Sequence, residues 1–364
     1  LVGELYPEGG ARRDAGFTIF YMGINLGAAL GPLVCSALGE KLNWHYGFGA
    51  AGVGMVLGVI QFHLGSRRFG AAGLPHPELK PVARFHQQIL WSIVALGALI
   101  VALGLFGIIR FDPILLSQWA AAVILTIAVL FFGAIYLLAG LKPEERKRVH
   151  VIVILFLGSA LFWAGFEQAG SSFNIFTDRF TDRVLGSFTI PTGWFQSLNA
   201  MFIIMFAPAF SALWVRLASA GKEPSLAIKF GIGLLLLGAG FVVMAGAASA
   251  ASGGALAAPN WLVATYLLHT FGELCLSPVG LSSVTKLAPP RLVGQMMGAW
   301  FLATSLGNLV AGLVAGRLGM DEQNPKSADF MNMLWLPLIT GIVLILLSPI
   351  IKRWSGTALA ERKG

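Results

Sequence analysis

Two glutamates lie in the middle of segments that are otherwise as apolar as a membrane span. They are Glu167 in FWAGFEQAG and Glu273 in HTFGELCLSPVG. An ionised carboxylate at the centre of a bilayer costs about 2.5–3.5 kcal/mol on insertion scales, and such residues usually bind substrates or carry protons. Burial favours the neutral form of a carboxyl group, so each glutamate is a candidate proton site. A static hydrogen bond or ion pair is the structural alternative.

Other polar side chains share these apolar segments. Asn25 in GINLG and Asn199 in QSLNAMF each carry an amide that needs a partner, either from a neighbouring helix or from a ligand. Trp163 and Trp300 also lie in mid-segment, where an indole lines a cavity or packs in a core. The types and depths of these residues predict a polar binding site within the membrane.

Three features concern the packing around these residues. His269 lies one helical turn before Glu273, and a packing role is more common for such a histidine than a proton relay. Pro208 and Pro278 are expected to bend their helices close to the polar sites. The glycine stripe in GINLGAALG predicts a close contact between helices.

The composition is that of a membrane protein. Of 364 residues, 56% are hydrophobic and 12% are charged, whereas soluble domains carry about 25% charged residues. So few charges cannot cover a solvated surface, and most of the outer surface must face lipid. The net charge of +8 would suggest a nucleic-acid partner in a soluble protein, but none is expected here. Cys35 and Cys275 lie in apolar segments and are predicted to be unpaired packing residues.

Ten segments are long and apolar enough to cross a bilayer. They are 15–38, 44–65, 88–109, 117–140, 149–177, 190–217, 227–250, 260–286, 293–317 and 330–352. The loops and chain ends on one side contain 19 Lys and Arg residues, against 6 on the other side. The positive-inside rule therefore places the first side, with both chain ends, in the cytoplasm. The pair within 88–140 holds no interior acid, which predicts peripheral, lipid-facing helices.

Several functional classes lack their usual motifs. GFGAAG at 47–52 matches the dinucleotide pattern, but it opens an apolar span instead of following a strand, so we interpret it as helix packing. The sequence has no HExxH, Walker or GxSxG motif, and no His or Cys cluster at metal-ligand spacing. It also has no selectivity-filter pattern or charge ring. An ATP-driven pump, an enzyme, a metal site, a bound cofactor and a channel are all disfavoured.

Four long motifs resemble one transporter family. FTIFYMGINLGAALGPL resembles the FYxxINxG signature of the proton-dependent oligopeptide transporters of the major facilitator superfamily. Similar motifs follow in the same order: FWAGFEQAGSSFNIF, IPTGWFQSLNAMFIIMFAPAFSALW and GELCLSPVGLSSVTKLAPPRLVGQMMGAWFLATSLGN. The resemblance implies an all-α membrane fold of two six-helix bundles, with two additional helices between them in bacterial members.

The resemblance also divides the chain. Residues 1–65 correspond to the end of the N-terminal bundle, residues 66–148 to a cytoplasmic linker and the two additional peripheral helices, and residues 149–364 to the C-terminal six-helix bundle. LVGELYPEGG resembles the end of the family's fourth helix. The N-terminal part of the family fold, with its first-helix ExxER motif and fourth-helix lysine, is therefore expected to be missing from this sequence.

The resemblance also implies functional roles for the residues that match the family's motifs. Glu273 is expected to face the amino terminus of a peptide and the family's fourth-helix lysine. Glu167 is expected to be a protonation site facing the first-helix arginine. Asn25 and Asn199 would hydrogen-bond the peptide backbone. Walls for peptide side chains are expected at Trp163, Trp300 and Thr304.

The function implied by the resemblance is proton-coupled import of di- and tripeptides across the cytoplasmic (inner) membrane. The proton gradient would drive it without a cofactor, and the protein would act as a monomer. Two alternatives remain open, because a fold does not fix a function. One is a relative that moves another small solute, such as nitrate or a drug-like amine. The other is a membrane receptor that does not transport.

Overall fold

The computed structural model describes residues 5, 10–70, 80–110, 112–318 and 325–356. The predicted end of a fourth helix in LVGELYPEGG lies outside these residues, apart from Leu5 and Gly10. Both chain ends and part of the linker within 66–148 also lie outside them.

The described chain is almost entirely α-helical. Ten of its helical segments are long and apolar enough to cross a membrane, which confirms the ten predicted spans. The helices are α1 (Gly10–Lys41), α2 (Trp44–Gly65), α3 (Lys80–Leu105), α4 (Pro113–Leu138), α5 (Pro143–Phe166), α6 (Ser172–Phe180), α7 (Ser197–Ser219), α8 (Leu226–Ala250), α9 (Asn260–Leu287), α10 (Val293–Leu318), α11 (Ser327–Leu346) and α12 (Ser348–Ser355). A short antiparallel hairpin, β1 (Val184–Leu185) and β2 (Phe188–Thr189), connects α6 to the 3-10 helix Thr192–Gln196 that precedes α7.

Two predicted spans are interrupted. The span predicted at 149–177 consists of α5 and α6, with the 3-10 turn Glu167–Gly170 between them. The span predicted at 330–352 consists of α11 and α12, and Pro349 occupies the first turn of α12. Proline is favoured in a first turn because it has no N–H to donate to the preceding turn. The hydrophobic pattern continues through both breaks, so it did not reveal them.

The described residues form two compact units, one within 1–24 and 48–117 and the other within 25–47 and 118–364. In the first unit, large apolar side chains of α3 are exposed, as Trp91 and Leu105 illustrate. Exposed apolar side chains are what a lipid-facing helix presents. This exposure agrees with the predicted peripheral position of α3, which stays a prediction.

The second unit is held together by close helix contacts at glycines. A methyl group on Gly272 of α9 would lie 2.7 Å from the carbonyl oxygen of Gly233 on α8. A methyl group on Gly231 would similarly lie 2.7 Å from the carbonyl oxygen of Gly341 on α11. Only glycine permits backbones to approach so closely. Helix α8 is therefore packed tightly against both α9 and α11.

The glycine stripe predicted to make a close contact does not make one within the described chain. A methyl group at any of its positions would meet nothing within 4 Å. Those positions are Gly23, Gly27 and Gly31. In GFGAAG, by contrast, a methyl group on Gly47 would meet the carbonyl oxygen of Cys35 on α1. That contact and its position within α2 agree with the packing interpretation of the motif.

We predict that Gly272→Ala destabilises the protein. The added methyl group would press on a backbone carbonyl, and overpacking of this kind costs about 1–3 kcal/mol. Gly298→Ala in α10 is the matched control, because a methyl group there meets nothing within 4 Å. Thermal unfolding in detergent should show a lower midpoint for the first variant and an unchanged or higher one for the second. Equal midpoints would contradict the close packing of α8 on α9.

Candidate functional site

The Glu273 carboxylate is buried and accepts a hydrogen bond from an uncharged amide. The Asn199 amide on α7 donates from Nδ2 to Glu273 Oε2 at 2.9 Å and to Thr270 Oγ1 at 3.1 Å. Glu273 is only 8% exposed. No Lys, Arg or His within the described ranges forms an ion pair with it. The structure therefore brings two of the predicted site residues, Asn199 and Glu273, into contact, and the described part of the chain supplies an amide but no cation. Their roles toward a ligand stay predictions.

Helix α9 fixes the position of this carboxylate. The residue before it, Gly272, contacts α8, and the Thr270 hydroxyl donates to the carbonyl oxygen of Tyr266 at 2.7 Å. Five residues beyond Glu273, Pro278 lies inside the helix and cannot donate to the carbonyl of Leu274. The helix is thus anchored on one side of Glu273 and lacks a backbone hydrogen bond on the other.

His269 packs in the core of the second unit. It is 1% exposed, and its Nε2–H donates to the carbonyl oxygen of Leu237 at 3.1 Å. The rings of Phe166, Phe173 and Phe241 surround it at centroid distances of 5.4–6.1 Å. These contacts favour the packing role over a proton relay.

Glu167 lies where α5 ends. It is half-buried and begins the 3-10 turn, and none of the described basic residues forms an ion pair with it. The next residue, Gln168, is 1% exposed and fixes this turn. Its amide donates to the carbonyl oxygens of Ala164 and Ala311 at 3.2 Å each, and its oxygen accepts from Ser172 Oγ at 2.7 Å. Glu167 is therefore attached to a helix break that is hydrogen-bonded to α10.

Gln168 was missed by the sequence analysis. The available signal was the run EQAGSS, in which two long polar residues are followed, after one alanine, by a glycine and two serines. Serine hydroxyls compete for backbone and side-chain hydrogen bonds, and glycine weakens a helix. A helix break within this predicted span was thus foreseeable from local composition, although the contact with Ala311 was not.

The two candidate tryptophans have different surroundings. Trp163 on α5 is half-buried, and its indole N–H has no hydrogen-bond partner among the described residues. An unpaired buried donor costs about 1–3 kcal/mol, so it gains from any acceptor that reaches it. Trp300 is 6% exposed and packs against Phe230, with ring centroids 6.2 Å apart, and against Gly280. Trp163 therefore stays a candidate binding residue, while Trp300 is largely a core residue in this conformation.

The remaining predicted site residues lie on separate helices. Thr304 is half-buried on α10, one turn after Trp300, and Asn25 is 6% exposed on α1. Both belong to the same unit as Glu273.

No cluster of three or more His, Cys, Asp or Glu side chains suited to a metal ion occurs in the part of the chain that the structure describes. Both cysteines are free thiols: Cys275 is buried and Cys35 is half-buried.

A second polar cluster joins the end of α1 to the connection between α6 and α7. We call Glu40, Asp178, Arg183 and Thr192 the latch. The Glu40 carboxylate accepts the backbone N–H of Thr192 at 2.7 Å and Arg183 Nη1 at 3.3 Å. Arg183 Nη2 also donates to Asp178 Oδ1 at 2.7 Å. The latch therefore places one carboxylate between a guanidinium and the start of a 3-10 helix.

Other contacts hold the same helix against the same connection. Trp194 Nε1 donates to the carbonyl oxygen of Leu33 at 2.9 Å, and Ser197 Oγ donates to that of Ala29 at 2.7 Å. The Lys41 ammonium lies 3.7 Å from the centroid of the Phe188 ring. The latch was not predicted from the sequence, because its charged residues look like ordinary loop residues and its partners are far apart along the chain.

Loops that are predicted to lie on the same side of the membrane form hydrogen bonds with each other. Arg291 donates to both carboxylate oxygens of Glu145 at 2.9 Å, which joins two loops of the predicted cytoplasmic set. At the other ends of these helices, the N–H of Asp182 donates to the carbonyl oxygen of Ala257 at 2.9 Å and joins two loops of the opposite set. These pairings support the predicted alternation within the second unit.

The chain is similar in sequence and in fold to known transport proteins. The sequence model of the POT family matches residues 1–327. The peptide transporter YePEPT of Yersinia enterocolitica subsp. palearctica is 42% identical over 97% of this chain and 71% of the relative. A di-/tripeptide transporter of Lactococcus lactis subsp. cremoris is 32% identical over the same shares. The crystal structure of a peptide transporter POT in complex with sulfate is similar at 36% identity, with a TM-score of 0.83, over 97% of this chain and 71% of that chain.

We predict that the two central latch residues are energetically coupled. A double-mutant cycle on Glu40→Gln and Arg183→Gln should give a coupling free energy of about 1 kcal/mol, because residues in one hydrogen-bond network are not additive. Glu144 and Lys147 are the control pair, since they form an exposed ion pair at 2.8 Å. Reversible unfolding in mixed micelles gives both values. A latch coupling no larger than that of the control pair would contradict the network.

Proposed function

The chain belongs to the POT family, and on that premise we propose that it is a proton-coupled symporter that imports di- and tripeptides across the cytoplasmic membrane. This is a family of peptide transporters rather than enzymes, and the ten apolar helices make the chain a multi-pass membrane protein. The single observation that carries the proposal is the environment of Glu273. It is buried, it accepts a hydrogen bond from a neutral amide, and no described cation neutralises it.

Peptide chemistry matches the groups at this site. The peptide's ammonium group would pair with the Glu273 carboxylate, and a charged hydrogen bond of this kind contributes about 1.5–3 kcal/mol. The amides of Asn199 and Asn25 would bind the peptide backbone, and the unpaired indole N–H of Trp163 would donate to a peptide carbonyl. Varied peptide side chains would lie against apolar walls at Trp163, Trp300 and Thr304, which permits broad specificity.

Trp300 would have to move to serve as such a wall. Its ring is packed against Gly280 and Phe230 in the conformation described. Rotation of α10 away from α9 would expose it, and a transporter that alternates its access must rearrange helices in this way. We therefore assign Trp300 to the wall of the site in another conformation of the cycle.

The proton would act at Glu167. Ionised, it would attract the arginine that the family places in its first helix; protonated, it would release that arginine because the attraction falls with the charge. The 3-10 turn held by Gln168 would let this side chain respond to its surroundings without unfolding α5. The proton would thus bias a two-state gate through its different affinity for the two states, with no cofactor needed.

The latch would be part of the closed outer gate. We place both chain ends in the cytoplasm, which puts Glu40 and Arg183 on the opposite side of the membrane. Their contacts would hold α1 against the C-terminal bundle, 149–364, and opening toward the outside would require breaking them. On this account the protein works as a monomer.

Transport itself is the direct test of the proposed function. We expect the protein, reconstituted in liposomes, to accumulate a labelled dipeptide when a pH gradient is imposed, and to stop when the gradient is collapsed. Nitrate or a drug-like amine should neither be accumulated nor compete well. Absence of gradient-driven peptide uptake, with the protein folded and inserted, would reject the proposal. Two alternatives would then remain, namely transport of another small solute and a membrane receptor that does not transport.

We predict that Glu167→Gln separates coupling from binding. A permanently neutral side chain should abolish accumulation driven by the pH gradient, because it can no longer exchange a proton. Counterflow between equal peptide pools requires no net proton movement, so it should survive in the same liposomes. The exposed Glu144→Gln is the control and should leave both activities unchanged. A Glu167→Gln protein that still concentrates peptide would show that the proton site lies elsewhere.

A further inference from the structure

A basic cavity of about 510 Å³ opens where α8 begins and α9 ends, beside α12. It does not include Glu167, Glu273 or any residue of the latch. Three lysines line it, together with several serines. The lysines are Lys229, Lys286 and Lys352, and the serines include Ser282, Ser283 and Ser355.

Positive charge exceeds negative charge among the described residues that line this cavity. The acidic residue among them is Glu223, and it pairs with Lys229 at 2.8 Å. The Lys229 side chain is 7% exposed, whereas that of Glu223 is 39% exposed, so the acid lies closer to solvent. The Lys229 ammonium also lies 4.7 Å from the centroid of the Trp214 ring. Lys229 is therefore already paired, whereas Lys286 and Lys352 form no ion pair with any described residue, so the excess positive charge of the described lining favours an anion as occupant.

The cavity lies at the predicted cytoplasmic boundary of the membrane. All three lysines fall in the loops and chain end that hold most of the positive charge. Helix α12 combines Lys352 and Arg353 with an exposed Ile350 and with Trp354, whose ring lies 5.5 Å from that of His150. Helices with basic residues, tryptophan and exposed apolar side chains typically lie at the lipid headgroup level. The cavity is therefore placed where phospholipid headgroups occur.

The lining is also partly apolar. Pro278, Val279, Leu226 and Ile351 contribute to the same walls as the lysines. A free inorganic anion gains nothing from apolar walls, whereas the glycerol and first acyl carbons of a lipid do. Basic pockets between membrane helices on the cytoplasmic side bind anionic headgroups for this reason. We propose that this cavity binds the phosphate of an anionic phospholipid, as a site separate from the peptide pathway.

The test compares two double variants of the protein purified in neutral detergent. The cavity variant is Lys286→Gln with Lys352→Gln, which leaves the buried Lys229–Glu223 pair intact. The control is Lys147→Gln with Lys222→Gln, two exposed lysines of the same predicted side that do not line the cavity. Native mass spectrometry measures phosphatidylglycerol and phosphatidylcholine adducts in the same sample, and their ratio does not depend on the yield of folded protein.

We expect wild type and control to prefer phosphatidylglycerol, and the cavity variant to lose affinity for it by roughly 25-fold, since each lysine near a headgroup contributes about fivefold. Added salt should weaken the preference, as expected for charge pairing. An equal loss in both double variants would overturn the proposal, because general surface charge would then explain binding. Thermal stabilisation by inorganic phosphate that matches stabilisation by phosphatidylglycerol would also overturn it, because the occupant would then be a free anion.

Discussion

The main physical constraint on this protein is the burial of the Glu273 carboxylate, which accepts a hydrogen bond from the Asn199 amide. An amide can satisfy a carboxylate oxygen, but it brings no charge, so the cost of burying an ionised group remains. A carboxylate in this position is tolerable when a proton or a cationic group neutralises it. A transporter that exchanges protons and peptide ammonium groups provides both in turn. The burial of Glu273 and its proposed role thus follow from the same energetics.

The surrounding helices hold this carboxylate in place. Glycine contacts let α8 approach α9 at Gly272, one residue from the carboxylate, so small movements of α9 are resisted on that side. The missing hydrogen bond at Pro278 weakens the helix on the other side. Glu167 also lies next to a fixed contact and a helix irregularity, because the hydrogen bonds of Gln168 hold the break between α5 and α6 in place. Both candidate acids therefore lie beside a rigid contact and a helix irregularity, which suits groups that change partners.

Much of this arrangement could be predicted from the sequence, because membrane spans are encoded locally. The ten spans follow from apolar length, and the choice of Glu273 and Asn199 as candidate site residues follows from their polarity in apolar runs. The latch could not be predicted, since Glu40 and Arg183 look like loop charges until the fold brings them together. The contact predicted at the glycine stripe is not made by any described residue, for a related reason: glycine spacing shows where a close contact is possible, but the neighbouring helix decides whether it forms. The core position of Trp300 depends in the same way on Gly280 of another helix.

The most direct test of the central claim asks whether Glu273 recognises a positive charge on the substrate. The measurement is the affinity of a dipeptide and of its amino-acetylated form for the wild type and for Glu273→Gln. Wild type should prefer the free dipeptide by about 10- to 150-fold, the equivalent of one charged hydrogen bond, and the variant should bind the two forms almost equally. The steric effect of the acetyl group is common to both proteins and cancels in the comparison. The same preference in both proteins would contradict the account, because the ammonium would then be bound by another group.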